Sequence, residues 1–170
     1  FENMEVDSSN MLYFSKNGIS KFLKGLTLGR ISIGALSVGT ATAAYEKAMA
    51  YSKDRIAFNK PINHFQSNSF KLADMATKIE ASELLVYHAA WLRDKGESFI
   101  KEAAMAKLYA SEAAMEITRE AIQIHGGYGY VHEYDVERFF RDAKILEIVE
   151  GTSEIQRLTI SREIMKNKMI

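Results

Sequence analysis

Glu150 is the acidic residue whose surroundings most suggest chemistry. It follows the apolar pair Ile148-Val149 and precedes Gly151, which places a carboxylate in an apolar, tightly turned segment. Burial of such a group would raise its pKa towards the range that suits a general base. A glutamate beside a helix start more often only caps that helix, so both interpretations stay open at this point.

A glycine-rich segment, Gly126-Gly127-Tyr128-Gly129, is a second candidate site. It follows a helical pattern instead of a strand and lacks the G-x-G-x-x-G spacing, which excludes a Rossmann-type dinucleotide loop. A left-handed glycine at a helix end explains Gly126 alone, whereas three glycines so close together are equally compatible with a ligand near the backbone. We interpret the preceding His125 as a cation that caps the helix end.

The four histidines do not form a metal-binding pattern. No two of them are three or four residues apart, and Glu-x-x-His does not occur, which excludes a di-iron carboxylate bundle. The sequence has no cysteine, so thiolate ligands and disulfides are also excluded. We predict no metal site.

The elements that must position these residues are predicted to be helices. Pro61 is the single proline, and alanine, methionine, leucine, lysine and glutamate dominate residues 66–124. Long helices are predicted from about Ile19 to Asp54, through the segment around Leu72 to Ala90, and from about Glu97 to Gln123. Shorter helices are predicted from about Val136 to Glu147 and from Thr152 or Ser153 to about Met165. Short turns make neighbouring helices antiparallel, so the fold class is all-α, an antiparallel helical bundle formed by one domain, 1–170.

Packing faces can be assigned on two of the long helices. On the second helix the apolar residues recur three, four or seven positions apart, at Met75, Ala76, Ile79, Val86 and Ala90. On the third, small residues allow close approach of two helix axes, at Ala106, Ala110, Ala113, Ala114 and Ile117. Each glycine in the first helix lowers helix stability by ~1 kcal/mol relative to alanine. We interpret the presence of glycine at Gly29, Gly34 and Gly39 as a sign of close packing contacts there.

The charge balance argues against some partners. Lysine plus arginine equals aspartate plus glutamate at 22 each, so no field of one sign exists to hold nucleic acid or an anionic membrane. The longest nearly uncharged stretch, 31–45, is too short to span a bilayer. We predict no nucleic-acid partner, no membrane insertion and a cytoplasmic location, or the mitochondrial matrix in a eukaryote.

Three segments together resemble the acyl-CoA dehydrogenase family. They are Arg55-Ile56-Ala57-Phe58-Asn59-Lys60-Pro61-Ile62, then Gln123-Ile124-His125-Gly126-Gly127-Tyr128-Gly129-Tyr130, then Arg141-Asp142-Ala143-Lys144 running on to Glu150-Gly151-Thr152-Ser153-Glu154-Ile155-Gln156-Arg157. They stand in the family's order within a matching helical pattern. The resemblance implies the C-terminal helical domain, a four-helix up-and-down bundle of the short- or medium-chain type. Residues 1–18, with a turn at Asp7-Ser8-Ser9-Asn10, would be a strand-like lead-in from a central β-domain.

The resemblance implies FAD-dependent oxidation of an acyl-CoA thioester to trans-2-enoyl-CoA. Glu150 would remove the α-proton while the β-hydrogen leaves as hydride to the flavin. Some relatives carry the base near Thr27-Leu28-Gly29-Arg30, where this sequence has no carboxylate, and this supports Glu150. Substrate-binding residues implied in the same way are Arg30 and Gly151. The family often has aspartate at the position of Thr27, an aromatic residue at that of Val149 and glycine at that of Asn59, which bears on acyl-chain preference.

The resemblance also implies which residues bind FAD. Those facing the FAD of a neighbouring subunit would be Arg55, Phe58, Ile62, Gln66, Gln123, Gly126 and Gly127. Those facing the subunit's own FAD would be Thr152 and Glu154. The implied assembly is a homodimer or homotetramer that passes electrons to an electron-transfer flavoprotein or a similar acceptor. The alternatives are a non-catalytic helical oligomerisation module and an acyl-CoA oxidase-like relative. We expect residues 1–170 alone to be inactive.

Overall fold

The computed structural model describes residues 1–11 and 18–166. Within those ranges the chain forms five α-helices, namely α1 (Gly18–Asp54), α2 (Gln66–Asp94), α3 (Ile100–His125), α4 (Val136–Leu146) and α5 (Ser153–Lys166). The all-α prediction is confirmed, and every predicted helix is present with its ends shifted by only a few residues.

α3 is the central helix of the bundle, with contacts to α1, α2, α4 and α5. Its small side chains allow this, because alanines let the neighbouring helix axes approach closely. The predicted packing face is confirmed, since all of its members are buried: Ala106, Ala110, Ala113, Ala114 and Ile117. The face continues in both directions along the helix, through Ala103 and Ala121.

α2 packs one face against α1 and α3. The buried residues follow the helical period and are Leu72, Met75, Ser82, Val86, Ala89 and Leu92. The predicted stripe is therefore confirmed at Met75 and Val86, although its edge is displaced by one residue at Ala89. Two ion pairs, Lys71 with Glu120 and Lys78 with Glu116, join α2 to α3 outside the apolar contact.

The glycines of α1 differ in what they approach. A Cβ added at Gly34 would lie 2.9 Å from Cγ2 of Val86, so the predicted close packing is confirmed there. At Gly39 the prediction is wrong: the residue is exposed and an added Cβ would meet nothing within 4 Å. Gly39 lies on a side of α1 that no other described element covers. Gly29 belongs to the candidate site.

A short hairpin connects α1 to α2. Its strands are β1 (Ile56–Ala57) and β2 (Lys60–Pro61), which pair antiparallel. The two residues between them, Phe58 and Asn59, have φ values of 50° and 63°. Positive φ at both central positions is the geometry of a tight hairpin turn, which asparagine tolerates better than most residues.

Residues 1–11 contain no strand. A single 3₁₀ turn, Ser8–Asn10, is capped by Asp7, whose Oδ1 accepts a hydrogen bond of 2.8 Å from the backbone N–H of Ser9. The predicted turn is confirmed, whereas the strand-like conformation is not seen in 1–11, because no sheet is available there to pair with. Residues 12–17 of the predicted lead-in lie outside the described ranges. None of the described helices is both long and apolar enough to cross a bilayer.

Candidate functional site

Glu150 lies in the short loop between α4 and α5. Its backbone φ is +54°, and that of the following Gly151 is +96°. The left-handed conformation costs a residue other than glycine roughly 1–2 kcal/mol, so the surrounding structure must hold Glu150 in place. One such restraint is a hydrogen bond of 3.1 Å from the Ser153 N–H to the Glu147 carbonyl, which closes the loop.

The Glu150 carboxyl group lies against the backbone of α1 at Gly29. A Cβ added at Gly29 would be 2.5 Å from both Cδ and Oε2 of Glu150 and 3.0 Å from Oε1. Real Cβ atoms do not approach other atoms so closely, so the Glu150 carboxyl group would have to shift if residue 29 carried a side chain. The close approach predicted at Gly29 is thus confirmed, and its partner is the candidate base itself.

Arg30, the next residue of α1, brings a buried cation to this region. Its side chain is 9% exposed. Loss of hydration lowers the pKa of the guanidinium, while the negative charge of Glu150 acts in the opposite direction. The predicted base and the predicted substrate-binding arginine are therefore brought together.

Several buried polar atoms around Glu150 have no hydrogen-bond partner among the described residues. They are Arg30 Nε, Lys107 Nζ, Glu150 Oε2, Ser153 Oγ and Gln156 Oε1. Buried polar atoms in proteins are normally bonded, and exceptions concentrate where a functional partner is expected. This part of the molecule therefore fits a polar ligand that brings its own donors and acceptors.

Lys107 belongs to this region although the sequence analysis did not single it out. Its side chain is fully buried on α3. Burial lowers the pKa of the ammonium group, the carboxylates of Glu147 and Glu112 oppose that effect, and the charge of Arg30 adds to it. A signal was available in the sequence, because Lys107 stands three or four residues from Ala103, Ala104 and Ala110, all on the buried face of α3.

The second group of predicted residues surrounds a cleft at the other end of α1. The cleft has a volume of about 550 Å³ and is lined by Tyr51, Arg55, Ile62, Ile124, His125, Gly126, Gly127, Tyr128 and Val131. The structure thus brings together four of the predicted cofactor-binding residues, Arg55, Ile62, Gly126 and Gly127. The Arg55 guanidinium carbon lies 5.7 Å from the centre of the Tyr128 ring.

The chemistry of this cleft suits an anionic ligand. Arg55 is exposed, so its guanidinium can form paired hydrogen bonds to a phosphate or carboxylate. An added Cβ at Gly126 or Gly127 would meet nothing within 4 Å, so the backbone there is open to a ligand. Aromatic rings beside the guanidinium add a surface for a planar group.

His125 bonds to the end of α3, as predicted, and its ring is buried. It is 4% exposed, and its ring stacks on Tyr51 with 4.3 Å between ring centres. Nδ1 lies 2.7 Å from the carbonyl oxygen of Ala121, which can only accept, so Nδ1 carries the proton and satisfies a carbonyl of the last helical turn. Burial lowers the pKa of the ring more than this bond raises it, which favours the neutral form. The predicted contact with the end of the helix is confirmed, whereas burial disfavours the predicted charge.

Three of the predicted cofactor-binding residues lie outside the Arg55 cleft. Phe58 is 90% exposed at the hairpin tip and packs edge-on against Phe65. Gln66 is exposed at the first position of α2. Gln123 lines a separate cleft of about 620 Å³ with Tyr130 and Arg141.

The remaining predicted residues, Thr152 and Glu154, are at the start of α5. The Thr152 carbonyl accepts the first hydrogen bond of the helix, from the N–H of Gln156. A hydrogen bond with the Thr152 hydroxyl lowers the pKa of the Glu154 carboxyl group. Both residues are thus next to Glu150, whereas Arg55 directly follows the C-terminal end of α1, 26 residues after Gly29 and roughly 39 Å away at 1.5 Å per residue.

Comparison with known proteins identifies the family. The model of the acyl-CoA dehydrogenase C-terminal domain matches residues 16–165. The probable acyl-CoA dehydrogenase YngJ of Bacillus subtilis is 53% identical over 165 residues, which cover 97% of this chain and 43% of YngJ. The caffeyl-CoA reductase-Etf complex subunit CarC of Acetobacterium woodii is 47% identical over 165 residues, covering 97% of this chain and 44% of CarC.

The fold has close counterparts among solved structures. Butyryl-CoA dehydrogenase from Megasphaera elsdenii superposes with a TM-score of 0.92 at 47% identity, over 94% of this chain and 42% of the other. The chain therefore spans less than half the length of these relatives. With a family model over most of its length and relatives at about half identity, the chain belongs to the acyl-CoA dehydrogenase family and forms its C-terminal helical domain.

Proposed function

We propose that this chain supplies the catalytic base and part of a shared FAD site to an enzyme that oxidises an acyl-CoA thioester to trans-2-enoyl-CoA. The observation that carries the proposal is the position of Glu150, whose carboxyl group lies against Gly29 with Oε2 buried and without a partner among the described residues. Such an oxygen is free to accept a proton from a bound substrate.

Each residue near Glu150 has a role in that step. The Glu150 carboxylate accepts the α-proton, and the backbone N–H of Glu150 donates to the thioester oxygen, where negative charge develops. The buried Arg30 guanidinium balances the carboxylate charge, and Gly151 has no side chain that would occupy the space beside the thioester. Bound FAD supplies the acceptor for the hydride that leaves the β-carbon.

The FAD site is proposed to be shared between two subunits. Arg55, Gly126 and Gly127 line a cleft that suits a diphosphate and lies at the far end of α1 from Glu150. A cleft roughly 39 Å along α1 from Gly29 supports contact with a different FAD from the one beside Glu150. The proposed assembly is therefore at least a homodimer.

The substrate and electron acceptor are inferred from the relatives. The butyryl-CoA dehydrogenase supports a short acyl chain, and the Etf complex that contains CarC supports an electron-transfer flavoprotein as the partner. CarC is also named a reductase, which favours a second candidate function, reduction of a 2-enoyl-CoA. The same atoms would act in reverse, with the Glu150 carboxylic acid donating the proton to the α-carbon.

The test uses the full-length protein and the variant Glu150→Gln. We expect the variant to retain FAD and to lose acyl-CoA oxidation by at least about a hundredfold, since general base catalysis contributes that much. Glu163→Gln is the matched control, because Glu163 is on α5 and its side chain bonds only to Lys166 among the described residues. Unchanged turnover in Glu150→Gln would contradict the assignment of the base.

Two further measurements separate the alternatives. Reduction of an electron carrier, compared with oxygen consumption, distinguishes a dehydrogenase from an oxidase. A full-length protein that binds FAD but neither oxidises acyl-CoA nor reduces enoyl-CoA across chain lengths would favour the oligomerisation module.

A further inference from the structure

Gln156 is a buried amide directly behind the loop that carries Glu150. It lies in the first turns of α5, and its side chain is fully buried. It was not among the predicted site residues. A glutamine is rarely buried completely unless its amide satisfies other polar groups, so its partners indicate its role.

Both partners of the Gln156 amide belong to the loop. Nε2 donates to the carbonyl oxygen of Glu150 at 3.1 Å and to that of Gly151 at 2.7 Å. Carbonyl oxygens only accept, so the nitrogen end must face them and the amide orientation is fixed. One side chain therefore holds the two consecutive residues that have positive φ values, +54° and +96°.

Gly151 makes this double contact sterically feasible. A Cβ added at Gly151 would lie 2.9 Å from Nε2 of Gln156 and 3.2 Å from Cγ2 of Ile155. The amide is thus packed directly against the glycine backbone. Movement of Gln156 would release the carbonyls of both loop residues together.

We propose that Gln156 is a positioning residue that keeps the Glu150 carboxyl group against Gly29 by holding the loop in its left-handed conformation. The inference rests on the proposed function, in which Glu150 is the proton acceptor. It adds that the position of the Glu150 carboxyl group depends on the two N–H donors of the Gln156 side chain. Gln156 itself has no assigned contact to substrate or cofactor. A displacement of about 1 Å at a reacting group can reduce turnover by about a hundredfold.

The first experiment compares Gln156→Met with Thr159→Val in the full-length protein. Methionine keeps the length and apolar packing of glutamine and removes both donors. Thr159 is the matched control, since its hydroxyl donates to the Ile155 carbonyl within α5. We expect kcat to fall by about a hundredfold in Gln156→Met, with flavin content and KM little changed, and to stay at the original level in Thr159→Val. A Gln156→Met enzyme with unaltered kcat overturns the proposal.

The second experiment uses pH with Gln156→Glu. A glutamic acid at this position has one O–H donor when protonated and only acceptors when ionised. The kcat of this variant, expressed as a ratio to the kcat of the original enzyme at the same pH, should rise as pH falls. The same ratio for Gln156→Met should not vary with pH. A ratio for Gln156→Glu that is independent of pH overturns the proposal.

Amide hydrogen exchange tests the restraint without reference to turnover. In the full-length protein with FAD and no substrate, exchange at the hydrogen-bonded amides of Val149 and Ser153, which flank the loop, should become faster in Gln156→Met and not in Thr159→Val. Equal exchange in all three proteins overturns the positioning role whatever reaction the enzyme catalyses. Failure of the proposed function is recognised separately, from full activity in Glu150→Gln.

Discussion

Gly29 of α1 and Glu150 of the loop before α5 are in such close contact that a single added Cβ at Gly29 would lie 2.5 Å from the carboxyl carbon. The two residues are far apart in sequence, and the contact accounts both for the position of the carboxylate and for the glycine in the helix. The carboxylate can lie against a helix because the helix lacks a side chain there, and the helix accepts a glycine in its interior because the carboxylate fills the space.

Gly29→Ala should therefore displace the Glu150 carboxyl group. We expect at least about a hundredfold loss of kcat in the full-length enzyme, because the proposed proton acceptor moves while the Arg55 cleft at the other end of α1 is untouched. Gly39→Ala is the control, since a Cβ there meets nothing within 4 Å and alanine should raise stability by about 1 kcal/mol. Steady-state kinetics and thermal unfolding give both quantities. Equal activity in the two variants would show that the carboxylate does not need the space above Gly29.

Arg55→Ala should weaken FAD binding without affecting the packing of the bundle. Hydrogen bonds to a charged group contribute about 1.5–3 kcal/mol, so the dissociation constant should rise by roughly ten- to a hundredfold. Arg93→Ala is a control on an exposed arginine of α2, which lies 3.8 Å from Asp94. Flavin fluorescence on dilution of the full-length protein measures the release of FAD. Full FAD retention in Arg55→Ala would remove the arginine from the cofactor site.

Lys107→Met should leave the full-length protein as stable as the original or more stable at neutral pH, because it removes a fully buried ammonium group that has no hydrogen-bond partner among the described residues. Burial lowers the pKa of Lys107 in the folded state. At pH values between the pKa of Lys107 in the folded state and its pKa in the unfolded state, the unfolded state therefore binds more protons than the folded state. The original protein gains stability as pH rises through this range.

The stability difference between Lys107→Met and the original protein should accordingly shrink as pH increases from about 7 towards the usual lysine pKa of about 10.4. Denaturant unfolding at several pH values measures it, and Lys101→Met, a change at a half-buried lysine that pairs with Glu102, supplies the control. A difference that grows with pH would mean that the charged form of Lys107 is stabilised in the folded protein.

The helices and part of the site were predictable from local sequence. Helix-breaking residues and the spacing of apolar residues predict α1 to α5. The two glycines of the Arg55 cleft stand directly after the end of α3, where the chain must turn. The family resemblance added Glu150, Arg30 and Arg55 as site residues. These features depend on residues close together in sequence or on motifs recognised as a set.

The contacts that give the site its geometry were not predictable in that way. Glu150 combines a positive φ with a carbonyl that accepts a hydrogen bond from the Gln156 amide, and the burial of Lys107 depends on how the neighbouring helices pack around α3. The separation of Gln123 from the Arg55 cleft has the same origin, since residues 123 and 126 are on different sides of the end of α3. His125 shows the converse, because its position at a helix end suggested a cation, whereas its burial and its stacking on Tyr51, which disfavour a charge, depend on tertiary packing.

The length of α1 determines the distance and relative orientation of the two proposed sites, one at Glu150 and one at the Arg55 cleft. Gly29 lies within α1 and Arg55 directly follows its last residue, Asp54, so a residue inserted into the helix between them would move one relative to the other by about 1.5 Å and rotate it by about 100°. Gly29 could then still contact the Glu150 carboxylate while the Arg55 guanidinium pointed away from its cleft. Alternatively, Arg55 could stay at its cleft while Gly29 lost its contact with Glu150. In this domain the number of residues between the two positions therefore matters as much as the identity of either.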